Sequence, residues 1–281
     1  MGTTWTPVQK KRLKELNANE EQQNISFDSP SERDGDFQKL EQVLVKIGKQ
    51  RLAELRDVHR RPALCRLESR LVDILTQHGF VQVVTPIILA KGLLAKMSIT
   101  DGHPISSQIF WIGENKCLRP MLAPNLYFLL KDLLRLWKKP VPIFEIGSCF
   151  RKESQGALHL NEFTMLNLVE MGLPEENRQQ KMEEFVALVM EAARIDQYQL
   201  LPTQSEVYGA TLDIVAGRAG IEVGSGVMGP HPLDQAWGIV APWVGIGFGI
   251  ERLLMVTENR NNLKSVGRGL TYLDGVRLNI L

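Results

Sequence analysis

Cysteine is scarce: the chain has three among 281 residues, Cys65, Cys117 and Cys149, with no Cys-x-x-Cys pair. Its five histidines form no cluster at zinc-ligand spacing. A disulfide scaffold and a structural zinc site are therefore excluded, and a reducing compartment, the cytoplasm, is expected. Neither charge sign dominates. Lys and Arg number 33 against 32 Asp and Glu, a net charge of +1, which excludes a uniformly basic nucleic-acid coat but not a local basic face. The opening MGTTWTPVQKKRLKEL lacks the apolar stretch of a signal peptide. The uncharged stretch 236–250 is too short to span a bilayer and is interrupted by Pro242 and four glycines, so it reads as a buried strand with tight turns.

Hydrophobic residues make up 44 % of the chain, enough to bury a sizeable core. Thr6-Pro7-Val8-Gln9 is a capping box with proline at the first helical position, and predicts a short helix to about Leu16. Residues 17–28 read as irregular. Ser29-Pro30-Ser31-Glu32 repeats the start signal. A longer helix then carries Phe37, Leu40, Leu44, Ile47, Leu52 and Leu55 on its apolar stripe. His59-Arg60-Arg61 reads as a linker. The chain is thus expected to divide into a helical extension, 1–58, able to contact nucleic acid, and a main domain, 59–281.

Within the main domain, Leu64, Leu67, Leu71 and Ile74 predict a helix stopped at Gly79. Residues 80–84 form a β-branched run before Pro86. Pro124 opens a helix bearing Leu126, Leu130, Leu133 and Trp137. Segments 143–151, 162–171, 211–215, 220–227 and 243–248 read as strands, with helices over 175–194 and from 251. Strands in succession after helices predict an α+β fold with a mostly antiparallel sheet flanked by helices.

Three segments carry chemistry. The first is the strand 80–84 ending in Thr85-Pro86. The second is Phe150-Arg151-Lys152-Glu153, followed by a polar loop and a second strand. An arginine held on a hairpin presents a planar, permanently charged fork suited to phosphate. The third is Gly245-Ile246-Gly247-Phe248-Gly249-Ile250-Glu251-Arg252. It fits neither the dinucleotide fingerprint nor the P-loop. Its alternate glycines let another body lie flat on the strand, and Arg252 follows at a helix start.

In this order the three segments resemble the three motifs of the class II aminoacyl-tRNA synthetases. Further runs resemble the pyrrolysyl family of that class. They include 118–127, His159-Leu160-Asn161-Glu162-Phe163, Val207-Tyr208-Gly209, Val227-Met228-Gly229-Pro230 and Tyr272-Leu273-Asp274-Gly275. The likeness covers nearly the whole chain and is greatest to the bacterial form, whose catalytic and N-terminal tRNA-binding parts are separate polypeptides.

The resemblance implies a ligase that joins ATP and an amino acid into an aminoacyl adenylate and passes the aminoacyl group to tRNA. It implies Arg151 at the α-phosphate and Arg252 at the distal phosphates. Glu153, His159, Leu160, Phe163 and Val223 would complete the ATP site, and Glu222 and Ser225 would bind Mg²⁺. It implies an amino-acid pocket walled by Ala123, Leu126, Tyr127, Leu130, Tyr208 and Trp243. It also implies a homodimer built around the Pro86 segment. With Trp5 so near the start, the tRNA-binding domain is expected to be a separate small basic protein.

On the second hairpin strand Phe163, Met165, Asn167 and Val169 share one face, about 20 Å long at ~3.3 Å per residue. That accommodates adenine near one end and a side chain near the other. An amide flanked by apolar residues suits a long apolar substrate with one polar group, as pyrrolysine is, and its cognate amber-suppressor tRNA(Pyl) follows from the resemblance. Two alternatives remain. One is a class II synthetase for another neutral amino acid such as phenylalanine, or for phosphoserine, which would need further cations. The other is a non-catalytic RNA-binding paralogue, which would not need both Arg151 and Arg252.

Overall fold

A computed structural model describes residues 2–152, 159–260 and 262–279. They group into two compact units, Met1–Ala63 with Lys264–Leu281, and Leu64–Leu263. The sequence reading divided the chain once, after residue 58; the contacts divide it after 63 and return the C-terminal tail to the first unit.

In the first unit the helix Pro7–Glu15 begins at the Thr6 capping box. The helix Pro30–Glu54 begins at Ser29, whose side chain accepts from Glu32 N–H. Residues 17–28 are not irregular as expected. They hold a short helix, Glu20–Gln23, capped by Asn19, and a strand, Ser26–Phe27, paired with Thr3–Thr4. The pairing brings Phe27 against Trp5, ring centroids 4.4 Å apart, and closes a small core with Leu13, Leu16 and Leu44. Ile47, expected in the apolar stripe, is exposed. The tail closes the unit: Asn17 donates to Gly275 C=O (2.8 Å) and Arg277 pairs with Glu15 (2.7 Å).

The second unit is built on a seven-stranded sheet. Its strands are β1 (Val81–Gln82), β2 (Val141–Phe150), β3 (Glu162–Met171), β4 (Tyr198–Ser205), β5 (Gly209–Ala216), β6 (Ile221–Gly229) and β7 (Trp243–Gly249). The order is β1-β2-β3-β7-β6-β5-β4, antiparallel throughout except for the parallel pair β1–β2. Helices α1 (Ala63–Gln77), α2 (Ala123–Leu136), α3 (Arg178–Ala193) and α4 (Ile250–Thr257) accompany it. This is the expected α+β architecture. Helix α1 buries Leu67, Leu71 and Leu75 and stops at Gly79, whose φ of +84° suits only glycine without strain. The strand after it is shorter than expected, two residues, although the chain stays against β2 as far as Thr85: Val83 N–H donates to Phe144 C=O (2.8 Å).

Beneath the β2–β3 hairpin lies a buried polar knot. Glu145 and Arg119 pair at 2.7 Å, and both are almost fully buried. Thr85 donates to Glu145 through its N–H (3.1 Å) and its hydroxyl (2.7 Å). Arg119 also donates to Thr85 C=O and Ser148 C=O, and Asn125 donates to Thr85 Oγ1 and Pro86 C=O. Full satisfaction of these groups makes their burial tolerable. The knot ties the Thr85-Pro86 segment to the hairpin that carries Arg151.

Candidate active site

A cavity of about 470 Å³ opens on the face of the sheet formed by β3, β7 and β6. That volume holds an adenosine- or drug-sized ligand. β3 alternates as expected. Phe163, Met165, Asn167 and Val169 all line the cavity, while Thr164, Leu166 and Leu168 are buried on the other side.

Gly249, Gly247 and Gly245 of β7 stand opposite Met165, Asn167 and Val169. The floor is thus side chain on one strand and bare backbone on the next. A Cβ on Gly247 would lie 3.3 Å from Met165 Cε and 3.6 Å from Asn167 Nδ2. The glycines leave the room beside Asn167 to a ligand.

At one end stand the cations. Arg151 follows directly on β2. Its N–H donates to Asn161 C=O (3.0 Å) and its Nε to Pro120 C=O (2.9 Å). Its guanidinium lies 5.3 Å from the Phe163 ring centroid, a cation–π distance. His159 and Leu160 line the same end. Arg252, in the first turn of α4, donates to the Glu222 carboxylate (3.1 Å) and to Glu222 C=O (3.0 Å). Glu153 lies outside the described residues.

β6 contains the arrangement that brings Glu222 and Ser225 together. On a regular strand residues three apart point to opposite faces. Here the register to β5 shifts between Glu222, opposite Val215, and Gly224, opposite Ile214, which leaves Val223 as an extra residue. This β-bulge brings Glu222 and Ser225 to the same face, and both line the cavity. Asp213, the cross-strand partner of Ser225, lines it as well. The donors are all oxygen, as Mg²⁺ requires. Among the described residues no group of three His, Cys, Asp or Glu side chains is gathered for a metal. A cation here would share its coordination with substrate phosphates, the usual habit of Mg²⁺.

The other end is apolar. Ala123, Leu126, Tyr127 and Leu130 come from α2, Trp243 from β7 and Tyr208 from the β4–β5 turn, and all six line the cavity. Tyr127 stacks on Trp237 (centroids 5.3 Å) and meets Trp243 edge-on (5.7 Å). Burial pushes the phenols of Tyr127 and Tyr208 above their ordinary range, so both remain protonated donors. The side-chain amide of Asn167 enters none of the hydrogen bonds found among the described residues, so its capacity faces the cavity.

The structure therefore gathers into one cavity every site residue read from the sequence except Glu153. Two acidic residues were missed. Glu251 is buried, lines the cavity and receives Thr164 N–H on both carboxylate oxygens at 2.9 Å; its place beside Arg252 was the available signal. Asp213 had none beyond strand alternation.

Residues 46–273 match the class II core domain of tRNA synthetases (F). With the sheet order and the two arginines of the cavity, this defines the molecule as a class II aminoacyl-tRNA synthetase core. Members of that class use ATP and Mg²⁺ generally. A crystal structure of pyrrolysyl-tRNA synthetase from Desulfitobacterium hafniense is 55 % identical in sequence, covers all of both chains and superimposes with a TM-score of 0.94. A second structure of that organism's enzyme is 54 % identical, covers 99 % of this chain and 96 % of its own, and gives 0.91. The chain belongs to the pyrrolysyl-tRNA synthetase family. Weaker similarity extends to elongation factor P–(R)-β-lysine ligase of Proteus mirabilis, 29 % identical over 103 residues, and to threonine–tRNA ligase of Wolbachia pipientis subsp. Culex pipiens, 31 % over 96. Those matches cover 36 % and 33 % of this chain but only 29 % and 15 % of the relatives' own lengths.

Proposed function

We propose that this chain activates pyrrolysine with ATP and transfers it to the amber-suppressor tRNA(Pyl). The observation that carries the reading is the polarity of the cavity. Two arginines occupy one end, and an amide without a hydrogen-bond partner among the described residues stands among apolar walls at the other. Arg151 binds the α-phosphate and stabilises the charge that grows there as the substrate carboxylate attacks in line. The carboxylate is already ionised at neutral pH, so no general base is required. Phe163 stacks on adenine, with Glu153, His159, Leu160 and Val223 around it, and Arg252 holds the distal phosphates. Glu222 and Ser225 would hold Mg²⁺, which would neutralise phosphate charge. Asn167 hydrogen-bonds the acyl amide of the substrate, and Met165, Val169 and the aromatic walls enclose its aliphatic length.

The partners follow from surface and charge. Val81, Val84, Ile87 and Ile88 expose apolar side chains around Pro86, and a second copy of the chain would cover them in a homodimer. Phosphate contacts supply much of the affinity for tRNA, yet the net charge is only +1. We assign the remainder to a separate small basic tRNA-binding protein, with the helices of the first unit also contacting tRNA. No helix among the described residues is long and apolar enough to cross a membrane, in keeping with a cytoplasmic enzyme.

Pyrophosphate exchange with pyrrolysine, phenylalanine and phosphoserine tests the reading. Pyrrolysine alone should support exchange. Exchange with phenylalanine in its place would make this a synthetase for another neutral amino acid. No exchange with any substrate would favour a non-catalytic paralogue.

A further inference from the structure

Three aromatic walls of the amino-acid end, Tyr127, Trp243 and Tyr208, come from three different elements. Behind them lies one short segment, His231-Pro232-Leu233-Asp234, which opens a 3₁₀ turn, Pro232–Trp237. Asp234 is 2 % exposed. One carboxylate oxygen accepts the Tyr127 hydroxyl (3.0 Å). The other accepts Trp243 Nε1–H (2.8 Å) and His231 N–H (2.7 Å). His231 Nδ1 accepts from Leu233 N–H (3.2 Å), which leaves the ring proton on Nε2. Nε2 then donates to Tyr208 C=O at 2.8 Å, and the two rings meet edge-on with centroids 5.6 Å apart. The Trp243 indole fills the space over Gly229, where a Cβ would lie 1.9 Å from its Nε1.

We propose that His231 and Asp234 are positioning residues for amino-acid recognition. Together they fix Tyr127, Trp243 and Tyr208 relative to one another, and so set the shape of the pocket around the substrate's acyl end. The inference rests on the assignment of that end to the amino acid. The demand on residue 234 is specific. Two of its three donors are N–H groups that cannot accept, so an acceptor is needed on that side. Asparagine can supply one oxygen there and turn its NH₂ toward the Tyr127 hydroxyl, which can accept in return. Alanine strands all three donors.

The test is steady-state pyrophosphate exchange for Asp234→Ala, Asp234→Asn and His231→Asn, with ¹H–¹⁵N spectra of the tryptophan indoles. Asp234→Ala should raise the KM for pyrrolysine ~10-fold or more while the KM for ATP stays within about twofold, and Asp234→Asn should recover most of the loss, because positioning rather than contact with substrate is removed. His231→Asn preserves a good helix-capping side chain but is too short to reach Tyr208, so it should raise the pyrrolysine KM severalfold on a folded protein. The Trp243 indole proton, identified with Trp243→Phe, should move upfield in Asp234→Ala. A pyrrolysine KM within about twofold of wild type in both Asp234→Ala and His231→Asn would overturn the proposal, as would an ATP KM that rises in step. Should Asp234→Ala not fold, His231→Asn decides alone. If wild type activates a different amino acid, the substrate reading fails separately, and the same ratios are read with that amino acid.

Discussion

Gly147 sits on β2 opposite Met165, directly over the fork of Arg119. A Cβ there would lie 2.1 Å from Arg119 Nη2 and 3.2 Å from its Cζ. Ordinary contact needs well over 3 Å, so Gly147→Ala requires a displacement of about 1 Å, which a close-packed interior does not absorb. The guanidinium cannot swing aside as a flexible chain end would. It is 3 % exposed and held by Glu145, Thr85 and Ser148. Moving it leaves Glu145, 1 % exposed, as a buried carboxylate without its cation. Loss of one partner of a buried pair costs ~3–5 kcal/mol. At ~2–4 °C per kcal/mol for a domain of this size, Tm should fall by roughly 6–20 °C in differential scanning fluorimetry. The catalytic hairpin should feel it too. Arg119 C=O accepts Phe150 N–H and Pro120 C=O accepts Arg151 Nε, both at 2.9 Å. An ångström of displacement at a positioned group can cost ~10²-fold in rate, so exchange should fall by up to that factor even at temperatures where the variant is folded. A Tm within about 2 °C of wild type would refute the claim that Gly147 is required by Arg119.

Arg151→Ala should lower pyrophosphate exchange by at least ~10²-fold, the usual effect of removing one charge-stabilising donor, while circular dichroism stays native; unchanged exchange in the folded variant would remove Arg151 from the reaction. Asn167→Ala should weaken activation of amide-bearing lysines and widen activity toward aromatic amino acids, because the substrate amide loses its partner and volume is freed; retention of full pyrrolysine preference would point to another residue. Burial raises the thiols of Cys117 to about 11 and Cys149 to about 12, so both stay protonated and inert at pH 8. A disulfide reagent should therefore titrate no more than one thiol, Cys65, before unfolding and three after it; fast reaction of three in the native protein would contradict that burial. Sedimentation should give a dimer at micromolar concentration, and Val84→Asp should weaken it; a fully active monomeric wild type would exclude the proposed interface.

The hairpin strands were legible because each is long, alternating and bounded by a polar loop, and β3 matches its expected bounds of 162–171. β4 was not. Tyr198–Ser205 lies at the sheet edge, is half exposed and contains Pro202, so it has no clean hydrophobic period. The short strand Ser26–Phe27 was hidden for a related reason: it pairs with Thr3–Thr4 and sets Phe27 against Trp5, a contact between segments about twenty residues apart that no local pattern announces. The helix Glu20–Gln23 before it did carry a local signal, the Asn19–Gln22 capping box, which was overlooked. The site residues were found through the order of three motifs. The groups that hold them, Glu145 under Arg119 and Asp234 behind Tyr127, are single acidic residues whose partners lie 26 and 107 positions away.

That difference follows from how the cavity is made. The floor of the cavity lies on regular strands, where period-two alternation decides which side chains share a face. Phe163, Met165, Asn167 and Val169 are one such face, and Gly245, Gly247 and Gly249 are the matching row of β7. Where chemistry needs a pairing that alternation forbids, the backbone departs from the rule, as at Val223, which brings Glu222 and Ser225 to one side. Such a departure leaves no mark in the hydrophobic pattern, since Ile221 and Val223 read as an ordinary strand. The positioning groups are more remote still. They act through hydrogen bonds between segments far apart in the chain, which only the fold brings together. Substitutions at Glu145 or Asp234 should therefore alter recognition and stability together, whereas those at Asn167, which faces the cavity, should alter recognition alone.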